Sequence, residues 1–375
     1  MTNDNAPKAA EKCKVLVATD EMEVGGSQRQ ITNLLTGMDR TRFEPVLLYF
    51  REHSFLVDEI AAKGIRVHYL PKNGKIDIGF FLSLMRFLKQ ERFDVIHAYS
   101  LTAELWLALA RSFARSSLFI SSIRGTYDDY SSLQWRIKRW ITRRSALVIS
   151  NSKQAADIAF ERMALKGNDC AIVYNGVHAV QAAPVLPEDL TTLRARHDFI
   201  LTFVGRLGPE KNVPCLFRAL RRLKDEGADE KIGVWLVGGG GERSKLEQMA
   251  ADLSLDQVEF LGERSDVNAV LAHSDAAVLP SFFEGLSNAI LEAMAVGKPV
   301  IASRVGGSAE IVRHEENGLL FPSDDDQALS DAIRRFVQDP AFAQRLGACG
   351  KQDIDQRFSI PSMVEQHQAH YAKAA

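Results

Sequence analysis

Two glutamates, Glu284 and Glu292, stand in the stretch SFFEGLSNAILEAMAVGKPVIASRV at residues 281–305. Carboxylates accept hydrogen bonds, so a pair beside a helix start can hold a ligand rich in hydroxyls. Between them lie Gly285, Leu286, Ser287 and Asn288. Ser287 and Asn288 are favoured N-cap residues, and residues 289–295 are strong helix formers. The spacing predicts Glu284 on the loop before a helix and Glu292 about one turn into it. A helix N-terminus also offers N–H groups and the positive end of a dipole. Anion site and carboxylates together suit a ligand with phosphates and sugars. A second group, Gly205-Arg206-Leu207-Gly208-Pro209-Glu210-Lys211, puts Arg206 and Lys211 on one loop. Two such cations neutralise a diphosphate leaving group without a metal ion. Solvated surface charges are the plain alternative.

These residues need elements to hold them. Apolar strands are expected at residues 14–19, 45–49, 65–70, 94–97, 118–122, 146–150 and 171–174, each followed by a helical pattern or a turn. A second series has strands near 199–204, 233–237, 258–261, 276–279, 300–302 and 319–321. Strict β-α alternation with continuous apolar strands predicts parallel, doubly wound sheets. Residues 178–197 lack strand character and read as a linker region. Ligands of such sheets bind beyond the carboxyl ends of the strands. Gly25-Gly26, His97 and Arg124 fall there in the first series. Gly205 to Lys211, the glycines at 238–241, Glu263-Arg264 and residues 281–288 fall there in the second. The Gly25-Gly26 pair suits either close approach to a ligand or a helix-entry turn.

Composition excludes several classes. The chain of 375 residues is long enough for two domains, and its net charge of −2 does not point to nucleic acid. Residues 1–180 hold 25 Lys/Arg against 19 Asp/Glu, and the remainder 21 against 29. That asymmetry suits an anionic partner of the first half, or ordinary surface variation. Cys13, Cys170, Cys215 and Cys349 are widely spaced, which argues against disulfides and zinc. No apolar run reaches the roughly 18 residues of a membrane span, and the first twelve residues are polar. A cytoplasmic protein is expected, with peripheral contact at the inner face of the membrane as an option.

Arg206 and Lys211, the Glu284/Glu292 spacing, Gly25-Gly26 and Asn175-Gly176-Val177 together resemble a retaining glycosyltransferase of the GT-B fold. The resemblance is to the large family four (glycosyl transferases group 1), and it covers essentially the whole chain. It implies two Rossmann-like domains facing an interdomain cleft. These would be an acceptor-binding domain at 1–178, a donor-binding domain at 179–357, and a C-terminal helix at 358–375 crossing back to the first domain. It implies a nucleotide-diphosphate sugar donor, with a UDP-sugar favoured, no metal and no further cofactor. Arg206 and Lys211 would bind the diphosphate. Glu292 would accept from ribose hydroxyls, and Glu284 would contact the transferred sugar. N–H groups near Gly285, Leu286, Ser287 and Asn288 would extend the phosphate site. Gly26, beside Gly25, would let the first domain approach it, and Gly262-Glu263-Arg264 would lie near the base. The acceptor would be a glycan or lipid-linked saccharide in surface polysaccharide synthesis, and the displacement front-face.

Two positions depart from the family pattern. Arg124 stands where a histidine is frequent; it cannot act as a base but can bind an anionic sugar or acceptor. Ser287 replaces a frequent proline, conservatively for an N-cap. His97 either contacts sugar or acceptor, or is a packed structural histidine. Residues 132–144, SLQWRIKRWITRR, form a basic amphipathic pattern, either a surface for an anionic bilayer or a domain helix with one packed face. A nucleotide-sugar epimerase or hydrolase and a non-catalytic nucleotide-sugar-binding protein remain the rival readings.

Overall fold

The computed structural model describes residues 12–111, 118–127, 130–165, 170–180, 184–228 and 232–374. The chain forms two compact units. One holds the described residues of Met1–Ser150, Ala159–Val173 and Met363–Ala375; the other holds those of Asn151–Ile158 and Tyr174–Ser362.

The first unit carries strands β1 (Cys13–Ala18), β2 (Phe43–Tyr49), β3 (Arg66–Tyr69), β4 (Val95–Ala98), β5 (Leu118–Ile123), β6 (Leu147–Ser150) and β7 (Cys170–Ile172). They pair in the order β3-β2-β1-β4-β5-β6-β7, all in parallel. Helices α1 (Gly26–Gly37), α2 (Phe55–Ala62), α3 (Ile78–Glu91), α4 (Leu101–Ala110) and α5 (Ser132–Thr142) link them, and α6 (Lys153–Arg162) begins in the other unit and ends in this one. Strand β1 is buried from Val15 to Ala18 and β4 throughout, as expected for a sheet covered on both faces. Helix starts follow sequence signals. Ser100 caps α4 by accepting from Ala103 N, and Ser131 with Gln134 forms a capping box on α5.

After Tyr174 the second unit begins with α7 (Glu188–Arg194), inside the stretch expected to be a linker. Residues 181–183 of that stretch lie outside the described residues. The helix is set by Pro187 at its N-cap position, by Glu188 and Asp189 in its first turn, and by Leu190, which packs with Ile200, Trp235, Val237 and Val270. Strands β8 (Phe199–Val204), β9 (Ile232–Val237), β10 (Val258–Gly262), β11 (Ala276–Leu279), β12 (Val300–Ser303) and β13 (Leu319–Phe321) pair in the order β10-β9-β8-β11-β12-β13. The remaining helices of this unit are α8 (Val213–Asp225), α9 (Arg243–Asp252), α10 (Val267–Ala272), α11 (Asn288–Ala295), α12 (Ser308–Ile311), α13 (Asp326–Gln338) and α14 (Pro340–Arg357); α15 (Ile360–Tyr371) belongs from Met363 on to the first unit.

Each strand order reverses direction once, at β1/β4 in the first unit and at β8/β11 in the second. Such a switch point opens a crevice at the carboxyl ends of the two strands, where ligands of open α/β sheets bind. The loops after β8 and β11 carry Arg206, Lys211 and Glu284. Among the described residues, no helix is long and apolar enough to cross a membrane.

Candidate active site

The β8 strand delivers Lys211 to Glu284. After Val204 the chain turns through Gly205 and Arg206 into a short 3-10 turn, Pro209–Lys211. Lys211 Nζ then lies 2.6 Å from Glu284 Oε1. Ser281 Oγ donates to the same oxygen at 2.7 Å. The Glu284 side chain is 9% exposed and that of Lys211 19%, so little water screens the pair. Arg206 sits differently. Its side chain is 75% exposed and pairs with Glu210 at 2.8 Å. A surface pair of that kind holds weakly and opens readily to an incoming anion.

Backbone packing fixes the Glu284 loop. Gly307 N donates to Gly285 O at 2.7 Å. Gly306 adopts a left-handed φ of 48°, and a Cβ there would run into the Glu284 carbonyl oxygen. Only glycine meets both demands. In the same way Gly238, at φ 134°, leaves room for the Gly205 carbonyl. The loops after β8, β9, β11 and β12 thus touch through their backbones.

Helix α11 starts where the sequence placed it. Ser287 is the N-cap and accepts from Ile290 N. Its first-turn N–H groups have no intrahelical acceptor. Asn175 Nδ2 donates to Leu286 O at 3.3 Å and to Asn288 Oδ1 at 2.8 Å, tying the Asn175-Gly176 turn to this helix start. Glu292 lies in the second turn and is half-buried. Gly262 closes β10 with φ 69° and accepts from Gly238 N at 2.8 Å. Arg264 is committed elsewhere. Its guanidinium donates to Asp266 Oδ2 at 2.7 Å and to Asp189 Oδ2 at 2.6 Å. Hydrogen bonds to these carboxylates raise its pKa further and fasten α7 to the start of α10.

The first unit corrects one expectation. His97 does not end its strand: β4 runs on to Ala98, and the imidazole has no exposed surface. Its Nδ1 meets Tyr371 Oη at 2.7 Å and its Nε2 meets Ser122 Oγ at 2.9 Å. Burial pushes its pKa well below the usual histidine value. It is a member of a buried network, with both nitrogens occupied. Gly25 is the N-cap of α1 at φ −157° and Gly26 its first residue. This is the helix-entry turn that the sequence offered as one of two readings; a Cβ at Gly25 would meet only the tip of the flexible Gln28 side chain. Arg124 does follow its strand directly. Its guanidinium lies over the Tyr99 ring, 5.3 Å from the centroid, and burial lowers its pKa.

Helix α5 is also corrected. Lys138, in the middle of the basic stripe, is 2% exposed and bonds Glu104 and the Ser122 carbonyl, each at 2.6 Å. It belongs to the interior and presents no charge to a surface. Burial pushes the Glu104 carboxyl up, so the pair is weak evidence for stability by itself.

Comparison with known proteins decides the family. Residues 24–181 match the profile of Glycosyltransferase Family 4, and residues 191–353 match that of Glycosyl transferases group 1. The lipopolysaccharide core biosynthesis glycosyltransferase LpsD of Rhizobium meliloti (strain 1021) is 30% identical over 354 residues, 91% of this chain and 93% of that protein. The chain belongs to the family 4, group 1 glycosyltransferases. An Escherichia coli UDP-Gal:alpha-D-GlcNAc-diphosphoundecaprenol alpha-1,3-galactosyltransferase is 27% identical over 77% of this chain and 78% of its own length. Among solved structures, Anabaena HepE in complex with UDP matches with a TM-score of 0.84 at 24% identity, covering 96% of this chain and all of that one. Sucrose-phosphate synthase of Thermosynechococcus elongatus matches with a TM-score of 0.78 at 21% identity, covering 96% of this chain and 99% of that one. These likenesses establish the GT-B fold.

For a glycosyltransferase of this family, the second unit holds more machinery than the sequence disclosed. Ser281 shares Glu284 with Lys211, and its only signal was the Ser-x-x-Glu spacing. Glu310 on α12 accepts Ser152 Oγ at 2.7 Å, Lys153 N at 2.9 Å and Gln154 N at 2.8 Å. It caps the start of α6 while α12 carries the Gly306-Gly307 turn under Glu284. No sequence spacing announces that contact.

Proposed function

We propose that the chain is a retaining, metal-independent glycosyltransferase. It moves a hexose from a UDP-sugar to a hydroxyl of a glycan or lipid-linked saccharide in surface polysaccharide synthesis. The observation that carries this is the shielded Lys211–Glu284 pair, set at the switch point of the second sheet beside the start of α11. The diphosphate lies against Lys211, Arg206 and the first-turn N–H groups of α11. Glu292 accepts from the ribose, and Glu284, held on one oxygen by Lys211 and Ser281, orients the sugar hydroxyls.

The C1–O bond to phosphate breaks and its electron pair stays on the diphosphate, where fixed cations stabilise the growing charge. The acceptor oxygen attacks C1 from the same face, and its proton passes to the departing phosphate oxygen. A double displacement needs a carboxylate on the opposite face of C1; the role given to Glu284, with one oxygen held by Lys211 and Ser281, is to orient the sugar. Support for a UDP-sugar comes from similar proteins: HepE was crystallised with UDP, with UDP and glucose, and with UDP-glucose. The E. coli relative is a UDP-Gal enzyme with a diphosphoundecaprenol acceptor, and LpsD acts in lipopolysaccharide core synthesis.

A thermal-shift panel of nucleotide sugars, followed by NMR of the product, tests the reading. UDP-sugars should stabilise the protein more than GDP- or ADP-sugars, EDTA should not reduce turnover, and the product should keep the donor's anomeric configuration. Donor consumption without an acceptor would instead identify an epimerase or hydrolase.

Peripheral membrane contact is part of the proposal. Leu105, Leu109, Leu133, Arg136, Ile137 and Trp140 line a surface groove of about 290 Å³ between α4 and α5. Leu133 is 62% exposed, and Arg136, Arg143 and Arg144 are exposed beside it. Apolar and cationic groups on one face suit an anionic bilayer. Changing these three arginines to serine should weaken binding to phosphatidylglycerol vesicles about a hundredfold, at about 1 kcal/mol per charge. Unchanged partition would leave α5 as a packing helix.

A further inference from the structure

Lys211 takes its place from the residue after it. Asn212 ends the 3-10 turn by donating its backbone N–H to Pro209 O at 3.2 Å, and its carbonyl accepts from Cys215 N at 3.0 Å at the start of α8. An asparagine at a helix start ordinarily has an extended backbone and caps the helix with its side chain. This one does neither. It holds a left-handed φ of 48° with ψ 41°, and its side chain makes no capping bond to α8. Besides glycine, asparagine is one of the few residues that visit this region routinely. The buried side chain is used elsewhere: Nδ2 donates to Asp324 Oδ1 at 3.1 Å.

Asp324, itself left-handed at φ 62°, stands on the loop between β13 and α13. Ion pairs hold that loop and the start of α13 to α8: Arg218 pairs with Asp324 and Asp326, and Arg222 with Asp326. On the other side of Lys211, Glu210 O accepts from Phe282 N at 2.9 Å. The residue before Lys211 is therefore tied to the Glu284 loop, and the residue after it to the Asp324 loop. The lysine's own N–H donates to Gly208 O at 3.0 Å. A flexible four-carbon stem thus reaches Glu284 from a backbone fixed on both sides. We propose that Asn212 is a positioning residue for the reaction: its left-handed backbone and its bond to Asp324 set the point from which Lys211 reaches Glu284 and the donor diphosphate. This rests on the glycosyltransferase reading and adds the group that places its cation.

UDP binding to the full chain, read by isothermal titration calorimetry in two backgrounds, tests it. Asn212→Val, whose branched side chain resists a left-handed backbone, should weaken UDP about tenfold. Asn212→Gly adopts that backbone freely and lacks only the bond to Asp324, so it should lose about threefold or less. In a Lys211→Ala background both substitutions should change UDP affinity by less than about twofold, because the group they position is gone. A residue that only holds the fold together would weaken UDP equally in both backgrounds, and that result overturns the proposal. So does an Asn212→Val affinity equal to wild type. Where Asn212→Val melts without a cooperative transition, Asn212→Ala is read in its place and should fall between wild type and a tenfold loss, with the same dependence on Lys211. Thermal unfolding separates this from the donor assignment. The coupling between Lys211 and Glu284, measured from the two single variants and the double variant, should fall by roughly half or more in Asn212→Val. If Lys211→Ala leaves UDP affinity unchanged, the donor assignment fails, and this coupling alone decides whether Asn212 places the lysine; an unchanged coupling overturns the proposal.

Discussion

Lys211→Ala and Glu284→Gln should each lower kcat/KM for sugar transfer by a factor of about 10² to 10³, the scale of losing one preorganised electrostatic group. The two losses should differ in kind. Glu284→Gln removes an acceptor that orients the transferred sugar, so kcat falls while donor affinity holds. Lys211→Ala removes a cation from the diphosphate, so affinity and kcat fall together. A stability signature accompanies this. Without Lys211, the Glu284 carboxylate keeps only Ser281 in a site 9% exposed. Truncating one partner of a buried pair costs about 3–5 kcal/mol, and this pair, open on the lysine side, should sit at or below the low end. Glu284→Gln on top of Lys211→Ala should recover part of that loss, because the stranded charge is gone. Calorimetry of the two single variants and the double variant measures the coupling. Wild-type kcat in Glu284→Gln would remove that residue from the reaction.

Much of this was legible in the sequence for a physical reason. Strands buried on both faces are continuous apolar runs, and residues 276–279 and 300–302 are exactly such runs around the Glu284 stretch. Ser287 is a local cap, and its signal lies within three residues of its effect. The settings that the sequence did not show depend on partners far along the chain. Lys138 looked like one of a row of cations until Glu104, 34 residues earlier, was beside it. Arg264 is held by Asp189, 75 residues away, on a helix hidden in an apparent linker. His97 was misplaced by a single position: with β4 running to Ala98, its side chain turns inward to Tyr371, 274 residues later. Local pattern carries period and caps; it carries no information about which charge a distant fold will bring opposite.

That buried histidine network should make the first unit labile to mild acid. His97 is held well below its ordinary pKa, and His367 is pushed down to about 3, both chiefly by burial. Neighbouring Arg124 and His370 act in the same direction on both. A histidine depressed in the folded state contributes stability that is present above the unfolded pKa, near 6.5. That stability is lost as pH falls toward the folded value, because the unfolded chain takes the proton first. Each group then costs about 1.4 kcal/mol per pH unit. Between pH 6.5 and 5 the pair should remove about 3 kcal/mol at most. Glu104 opposes this, since its carboxyl is raised by burial and gains a proton on folding as the solution acidifies. It therefore offsets part of the loss and adds none, while the carboxylates lowered by their partners, such as Glu91, weaken the fold only below about pH 4.5. The destabilisation between pH 6.5 and 5 therefore belongs to the histidines. Calorimetry should show the melting temperature falling steeply across it, and a His97→Gln/His367→Gln variant should show a shallower fall whatever its stability at pH 7. An equal slope in both proteins would mean that His97 and His367 can charge without cost, and the network would not be the sealed arrangement in which Tyr371 and Ser122 hold His97 neutral.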